Sequence, residues 1–305
     1  MNKNLKTTVL QSLAAAALCT QAAVITHAND HLADALQLAT EIRSQGTNGV
    51  FTNGQGINLN RYGGSWEDQN NASFIQFKDD NAGLLPMAYS TCAPFVSHIL
   101  QYSHGWDWSA YSFNDPILNE EVSTESPASY QYLALMKGLI GFSSWTTDLD
   151  NVEPGDIAAI QNDGTTTGHT MIVVSVNRSL VGQTRPKAYL TGLTDSDAQY
   201  TGTTYYEVTV VDCSEDKHSD DTRLFYNAQG TLTKSTTGVG MGVIGVLVDG
   251  AGNVVAHSWS LPTRSLYFSN YASTRNSWIK SLNGRLQKQT GVGKRELVFG
   301  RLALP

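Results

Sequence analysis

The run His169–Val176 (HTMIVVSV) constrains this chain most. It is dense in β-branched residues, whose stiff side chains suit a pleated, packed surface, so it predicts a strand in a sheet core. Other segments join it. Asp156–Ile160 (DIAAI) is a short apolar strand and Tyr205–Val211 (YYEVTVV) another. Residues 240–248 and 253–259 flank the turn Asp249-Gly250-Ala251-Gly252 as a hairpin, and a last strand covers Glu296–Leu302. Upstream the period changes. His31–Arg43 carries Leu32, Leu36, Leu38 and Ile42 at helical spacing. Thr91–Tyr102 puts Phe95, Ile99 and Tyr102 on one face, with Ser90 or Thr91 as cap and Pro94 in the first turn. Ser129–Leu139 predicts a third helix ending near Gly141, and residues 273–287 a further one. The Gly/Asn-rich stretch 46–72 and residues 162–168 read as loops and turns, and 178–203 as a polar insertion or lid. Helices lead and strands follow, which predicts an α+β fold with an antiparallel sheet. No repeat or low-complexity linker divides residues 29–305, so one domain is expected.

Residues 1–28 are set apart from that fold. Lys3 and Lys6 supply a positive start, Leu13–Leu18 a short apolar run, and Thr26-His27-Ala28 a cleavage site ending in a small residue. The pattern predicts a signal peptide and export to the periplasm or beyond; a buried amphipathic helix is the competing reading. The apolar run is too short to span a bilayer, so stable membrane insertion is not expected. A net charge of −7 gives no support to nucleic-acid or anionic-lipid partners. The sequence leaves the oligomeric state open.

With Cys19 in the leader, Cys92 and Cys213 remain. Either they pair, or at least one is kept as a thiol for chemistry. Cys92 falls in the first turn of a predicted helix, where the dipole and free N–H groups favour a thiolate. It is a candidate nucleophile, against the alternative of a small buried core residue. Cys213 reads as packing. A base must come from elsewhere in the chain. His98 shares the helix of Cys92 but points to another face, and His104 lies in a Tyr/Gly/Trp loop at the surface. His169 opens a buried strand after a Gly-containing turn, where a side chain can be held rigidly at a sheet rim. It is the candidate base, or else a satisfied polar strand end. Asp212 ends the next long strand and is the candidate third member, or else a turn-starting carboxylate.

The order of these motifs resembles the NlpC-type papain-like cysteine peptidases of bacterial cell walls. Cys92-Ala93-Pro94-Phe95-Val96 matches the segment that begins that family's catalytic helix. Pro154-Gly155-Asp156 matches its turn before the first sheet strand. His169, followed by Thr170-Met171-Ile172-Val173-Val174, matches its His and apolar strand; its third polar residue falls on Asp212. Arg61-Tyr62-Gly63-Gly64 matches its upstream Tyr and paired Gly, which makes Tyr62 a candidate substrate or oxyanion contact. The resemblance covers residues 90–212. It implies a papain-like α+β fold with helices packed on an antiparallel sheet and the nucleophile at a helix N-terminus. It further implies a Cys-His-Asp triad, a peptide or peptidoglycan-like substrate cleaved at an amide bond, and neither cofactor nor metal. An acyltransferase or deamidase would use the same residues, and an envelope binding protein could keep the fold without the chemistry.

Other motifs carry less. His257-Ser258-Trp259 imitates a transglutaminase-like site, but no carboxylate follows until Glu296. The series Gly238, Gly240, Gly242, Gly245 lacks the Lys-Ser/Thr of a phosphate loop. The Cys and His spacing fits no zinc site. Lys217–Arg223 (KHSDDTR) reads as a charged, solvated turn or a substrate contact, and the Trp and Tyr residues mostly as packing.

Overall fold

The computed structural model describes residues 30–64, 71–161, 168–177, 204–259, 287–288 and 296–304. The leader expected at 1–28, most of the turn expected at 162–168, the insertion expected at 178–203 and nearly all of the helix expected at 273–287 lie outside the described residues.

Helix α1 (Asp30–Thr47) opens the described chain. Short strands β1 (Asn60–Tyr62), β2 (Phe74–Gln76) and β3 (Met87–Ser90) follow, then helix α2 (Cys92–His104). A small hairpin, β4 (Phe113–Asn114) and β5 (Glu121–Val122), precedes helix α3 (Ser129–Lys137). The rest is strand: β6 (Phe142–Thr146), β7 (Ile157–Ile160), β8 (His169–Asn177), β9 (Thr204–Ser214), β10 (Leu224–Tyr226), β11 (Leu232–Ser235), β12 (Gly238–Val248), β13 (Val254–Ser258), β14 (Gln287–Lys288) and β15 (Leu297–Leu302). The architecture is α+β, as expected. An eight-stranded sheet runs in the order β14-β13-β12-β9-β8-β7-β15-β6, each neighbouring pair antiparallel. Among the described residues no helix is long and apolar enough to cross a membrane.

Strand alternation explains the core. Successive side chains point to opposite faces. Ile157, Ala159, Ile172, Val211, Cys213 and Val298 lie with the helices in one buried cluster. Ala158, Ile160, Met171, Val173, Val208, Val210, Leu297 and Phe299 form a second cluster on the other face. Both faces are therefore covered, which is why these strands read as nearly continuous apolar runs. Helix α1 buries Leu32, Ala35, Leu38, Ala39 and Ile42, the i, i+3, i+4 stripe of an amphipathic helix. Helix α2 ends at Gly105, whose φ of 61° lets its N–H reach Gln101 O.

The sequence reading is corrected at residues 46–72. That stretch contains β1, which pairs in parallel with β3. Polar side chains hold it. Asn60 Nδ2 donates to Val239 O and Val239 N–H donates to Asn60 Oδ1, each at 2.7 Å. Tyr62 N–H donates to Thr237 Oγ1 at 3.0 Å. Gly238 makes this docking possible: its φ is 101°, and a Cβ there would sit 2.1 Å from Asn60 Oδ1. Gly238→Ala is expected to destabilise the fold by about 1–3 kcal/mol in urea titrations. An unchanged urea midpoint would contradict this anchoring.

Candidate active site

Cys92 is the first residue of α2. Thr91 holds the N-cap position in an extended conformation, with no hydrogen bond from its side chain to the helix. Ser90 does not cap either: its hydroxyl contacts Ser73 Oγ at 2.7 Å and donates to Thr91 O at 3.0 Å. The expected side-chain cap is thus not made, and the dipole end of α2 stays open at the thiol. Cys92 Sγ lies 3.5 Å from Ser129 Oγ, at the start of α3.

His169 opens β8 and faces that sulfur. Its Nε2 donates to Asp212 Oδ2 at 2.7 Å, which leaves Nδ1 for the thiol. The strands explain the meeting. Ile172 pairs with Val211 across β8 and β9, so His169 and Asp212 lie diagonally near the strand ends and share a sheet face by alternation. Burial opposes ionisation of Cys92, but the charge and hydrogen bond of His169, the Ser129 hydroxyl and the Thr170 backbone bring its pKa down to about 7. Burial likewise opposes protonation of His169, yet the Cys92 thiolate and the Asp212 carboxylate push its pKa up to about 9. The two shifts favour a thiolate–imidazolium pair.

Asp212 is fully buried and serves more than one partner. Its Oδ2 also accepts from His218 Nε2 at 2.9 Å, and its Oδ1 lies 3.2 Å from Arg223 Nη2. Burial alone would raise its pKa; the Arg223 guanidinium first, then His218 and the hydrogen bonds, hold it well below the usual carboxylate range. Arg223 is itself 1% exposed and grips Asp221 through Nε (2.8 Å) and Nη2 (2.6 Å). His218 sets Nδ1 at 2.8 Å from Trp259 O, and its backbone N–H donates to Asp221 Oδ2. The Trp259 ring meets both imidazoles, with centroids 4.5 Å from His169 and 4.4 Å from His218.

These contacts correct the reading of Lys217–Arg223 as a solvated turn. Lys217, His218, Ser219, Asp221 and Arg223 are all buried. The loop lies on β12, tied by Ser219 and Val243 exchanging backbone hydrogen bonds at 3.2 and 2.8 Å. The glycine series gives it room. A Cβ on Gly242 would come 2.4 Å from His218 Cβ, and one on Gly240 2.7 Å from Arg223 Cγ. The sequence therefore held a signal for this loop: alternate glycines on a core strand facing a charged segment just after Asp212.

The remaining expected residues fall as follows. Tyr62, half-buried, packs against the cluster that contains Cys92. Burial first, then the Cys92 and Cys213 thiols, push its phenol upward, so it stays a neutral hydrogen-bond donor. Both cysteines are free and buried. Cys213 Sγ donates to Ser90 O at 2.9 Å, and burial and Asp212 raise its pKa well above the ordinary range, which suits a packing role. His104 is not an isolated surface residue: it meets His31 at 3.1 Å, and His31 Nε2 donates to Gly155 O at 2.7 Å. This fastens the Pro-Gly-Asp turn to α1, while Asp156 pairs with Arg301 at 3.0 and 3.1 Å. His98 Nε2 contacts Ser73 Oγ at 3.1 Å. From the His257-Ser-Trp259 motif it is Trp259 that reaches the site.

His169, Asp212 and His218 offer atoms within 4.8 Å of one another, close enough to ask about a metal. Their contacts of 2.7 and 2.9 Å are hydrogen-bond lengths. Ligands about 2.0–2.1 Å from a tetrahedral zinc stand roughly 3.3 Å apart. Arg223 also brings a cation to the same carboxylate. The cluster fits a hydrogen-bonded imidazole–carboxylate network better than an ion cage. His218 and Arg223 were legible only within a loop read as solvated or substrate-contacting, and Trp259 only within a transglutaminase-like motif; Ser129 shows nothing in sequence beyond its place at a helix start.

No family model, curated protein or solved structure matches the chain.

Proposed function

We propose that this chain is an exported cysteine hydrolase of papain-like, NlpC type that cleaves an amide bond in a bacterial cell-wall peptide. One observation carries the reading: Cys92, at an open helix N-terminus, faces an imidazole whose other nitrogen is held by a buried carboxylate. The motif order Cys92-Ala-Pro-Phe-Val, Pro154-Gly-Asp and His169 supports the NlpC assignment, and the leader at 1–28 supports export.

The chemistry follows from the resting ion pair. The Cys92 thiolate attacks the amide carbon, forming the S–C bond and moving the carbonyl π pair onto oxygen. The Cys92 backbone N–H at the helix start, with Tyr62 nearby, faces that developing charge. As the C–N bond breaks, His169 gives its Nδ1 proton to the leaving nitrogen. Neutral His169 then takes a proton from water, hydroxide attacks the thioester, and the thiolate leaves to re-form the pair. Asp212 holds the ring orientation throughout.

Digestion of purified sacculi followed by mass analysis is the test. New amide-derived termini are expected with the wild-type protein and none with Cys92→Ala. Full activity in Cys92→Ala would sink the reading. Acyl transfer to an added amine, loss of side-chain ammonia without chain cleavage, or binding without products would redirect it to a transferase, a deamidase or a binding protein.

A further inference from the structure

Resting on the hydrolase reading, we propose that Ser129 is a further catalytic residue, whose hydroxyl steadies the reacting sulfur at rest and donates to the oxyanion during attack. Its Oγ stands 3.5 Å from Cys92 Sγ, and the residue is buried. The hydroxyl can donate to a thiolate, but a thioester sulfur is a far weaker acceptor. Once the S–C bond forms, that hydroxyl is released beside an oxygen two bonds from the sulfur. Effective donors lie about 2.7–3.1 Å from an oxyanion, within its reach by rotation about the Cα–Cβ bond. No proton transfer by Ser129 is involved; it keeps its hydrogen and changes acceptor.

The start of α3 is built to hold this hydroxyl in place. Gln131 Oε1 accepts from Ala128 N–H at 2.7 Å. Gln131 Nε2 and Tyr130 OH both donate to Asp115 Oδ2, at 2.6 and 3.0 Å. Asp115 is fully buried, and its Oδ1 takes the backbone N–H groups of Ile117 and Leu118 at 2.7 and 2.9 Å. Ser129 therefore directly precedes two residues that are each fastened to one carboxylate, while Ala128 on its other side is held by the Gln131 side chain. The backbone that carries this hydroxyl is thus fixed before charge develops, and only the hydroxyl itself has to turn. Ser129 is also the first residue of α3, so a second helix N-terminus approaches the sulfur beside that of α2 itself.

The test compares two reactions of Cys92 on the full chain. Iodoacetamide alkylates the thiolate by displacement and passes through no oxyanion. p-Nitrophenyl acetate acylates it through a tetrahedral oxyanion, with Cys92→Ala supplying the background. Both rates are read at a pH where the thiolate is fully formed, on the same folded population, so partial unfolding cancels in their ratio. The acylation-to-alkylation ratio is expected to fall about 10²-fold in Ser129→Ala and to recover in Ser129→Thr. An unchanged ratio in Ser129→Ala overturns the role of Ser129 and leaves the hydrolase reading standing. A wild-type Cys92 that alkylates with the pH dependence of an ordinary thiol overturns both.

Discussion

Arg223→Leu is expected to destabilise the folded protein by about 3–5 kcal/mol, the usual result of stripping one partner from a buried ion pair. Arg223 neutralises two carboxylates: it lies 3.2 Å from Asp212 and 2.6 Å from Asp221. It also donates to Gly238 O at 2.9 Å. Leucine fills part of the volume but leaves two buried negative charges and a carbonyl short of a donor. Asp212 should respond by titrating upward, since Arg223 is the largest of the influences that hold it down. Its bond to His169 then weakens over the acidic range, and the site loosens with the fold. Urea denaturation reads the first effect and alkylation of Cys92 the second. A midpoint within experimental error of wild type would mean that the loop is not carried by this ion pair.

His169→Asn should slow alkylation of Cys92 at neutral pH by about 10²-fold, because the thiol loses the cation that lowers its pKa. In the wild type, burial raises the thiol pKa, and His169 and the hydrogen bonds outweigh it to reach about 7. Without the imidazole, burial is left largely unopposed and the thiol returns to its ordinary range or above. The sign of the wild-type pH dependence follows. Cys92 gains its charge as pH rises through about 7. His169 loses its own as pH rises through about 9. Acylation by an amide needs both charges, so its rate should form a bell between those limits, while alkylation should rise through the lower one and show no fall at the upper. Rate–pH profiles with an amide substrate and with iodoacetamide check this; a single titration near that of a free thiol would remove the ion pair from the mechanism.

Much of the site was legible because its chemistry is tied to local grammar. Cys92 follows a polar pair at a helix start, and His169 begins a β-branched run, so each position follows from secondary structure alone. Asp212 was legible as a strand end. The loop Lys217–Arg223 was not: its charges read as solvated because the usual cost of burying them is high. That cost is met here by partners distant in sequence, and by glycines on β12 whose role is to be small. Strand β1 was hidden for a related reason. It forms where Asn60 and Thr237 supply hydrogen bonds across long sequence separations, and no periodicity in a Gly/Asn-rich stretch announces that.

By itself, then, the amino-acid order determined the α+β class, the three described helices and the core strands around His169 and Asp212, and which thiol, imidazole and carboxylate were available for chemistry. Side-chain period and backbone preference act over a few residues and are written in the chain. Only the tertiary structure decided that Asp212 is shared among His169, His218 and Arg223, that Trp259 covers both rings, and that Ser129 touches the sulfur. Those relations depend on strand register and on which loop folds back over which strand. They emerge from packing across the whole core, where contacts between residues far apart in sequence compete for the same buried space.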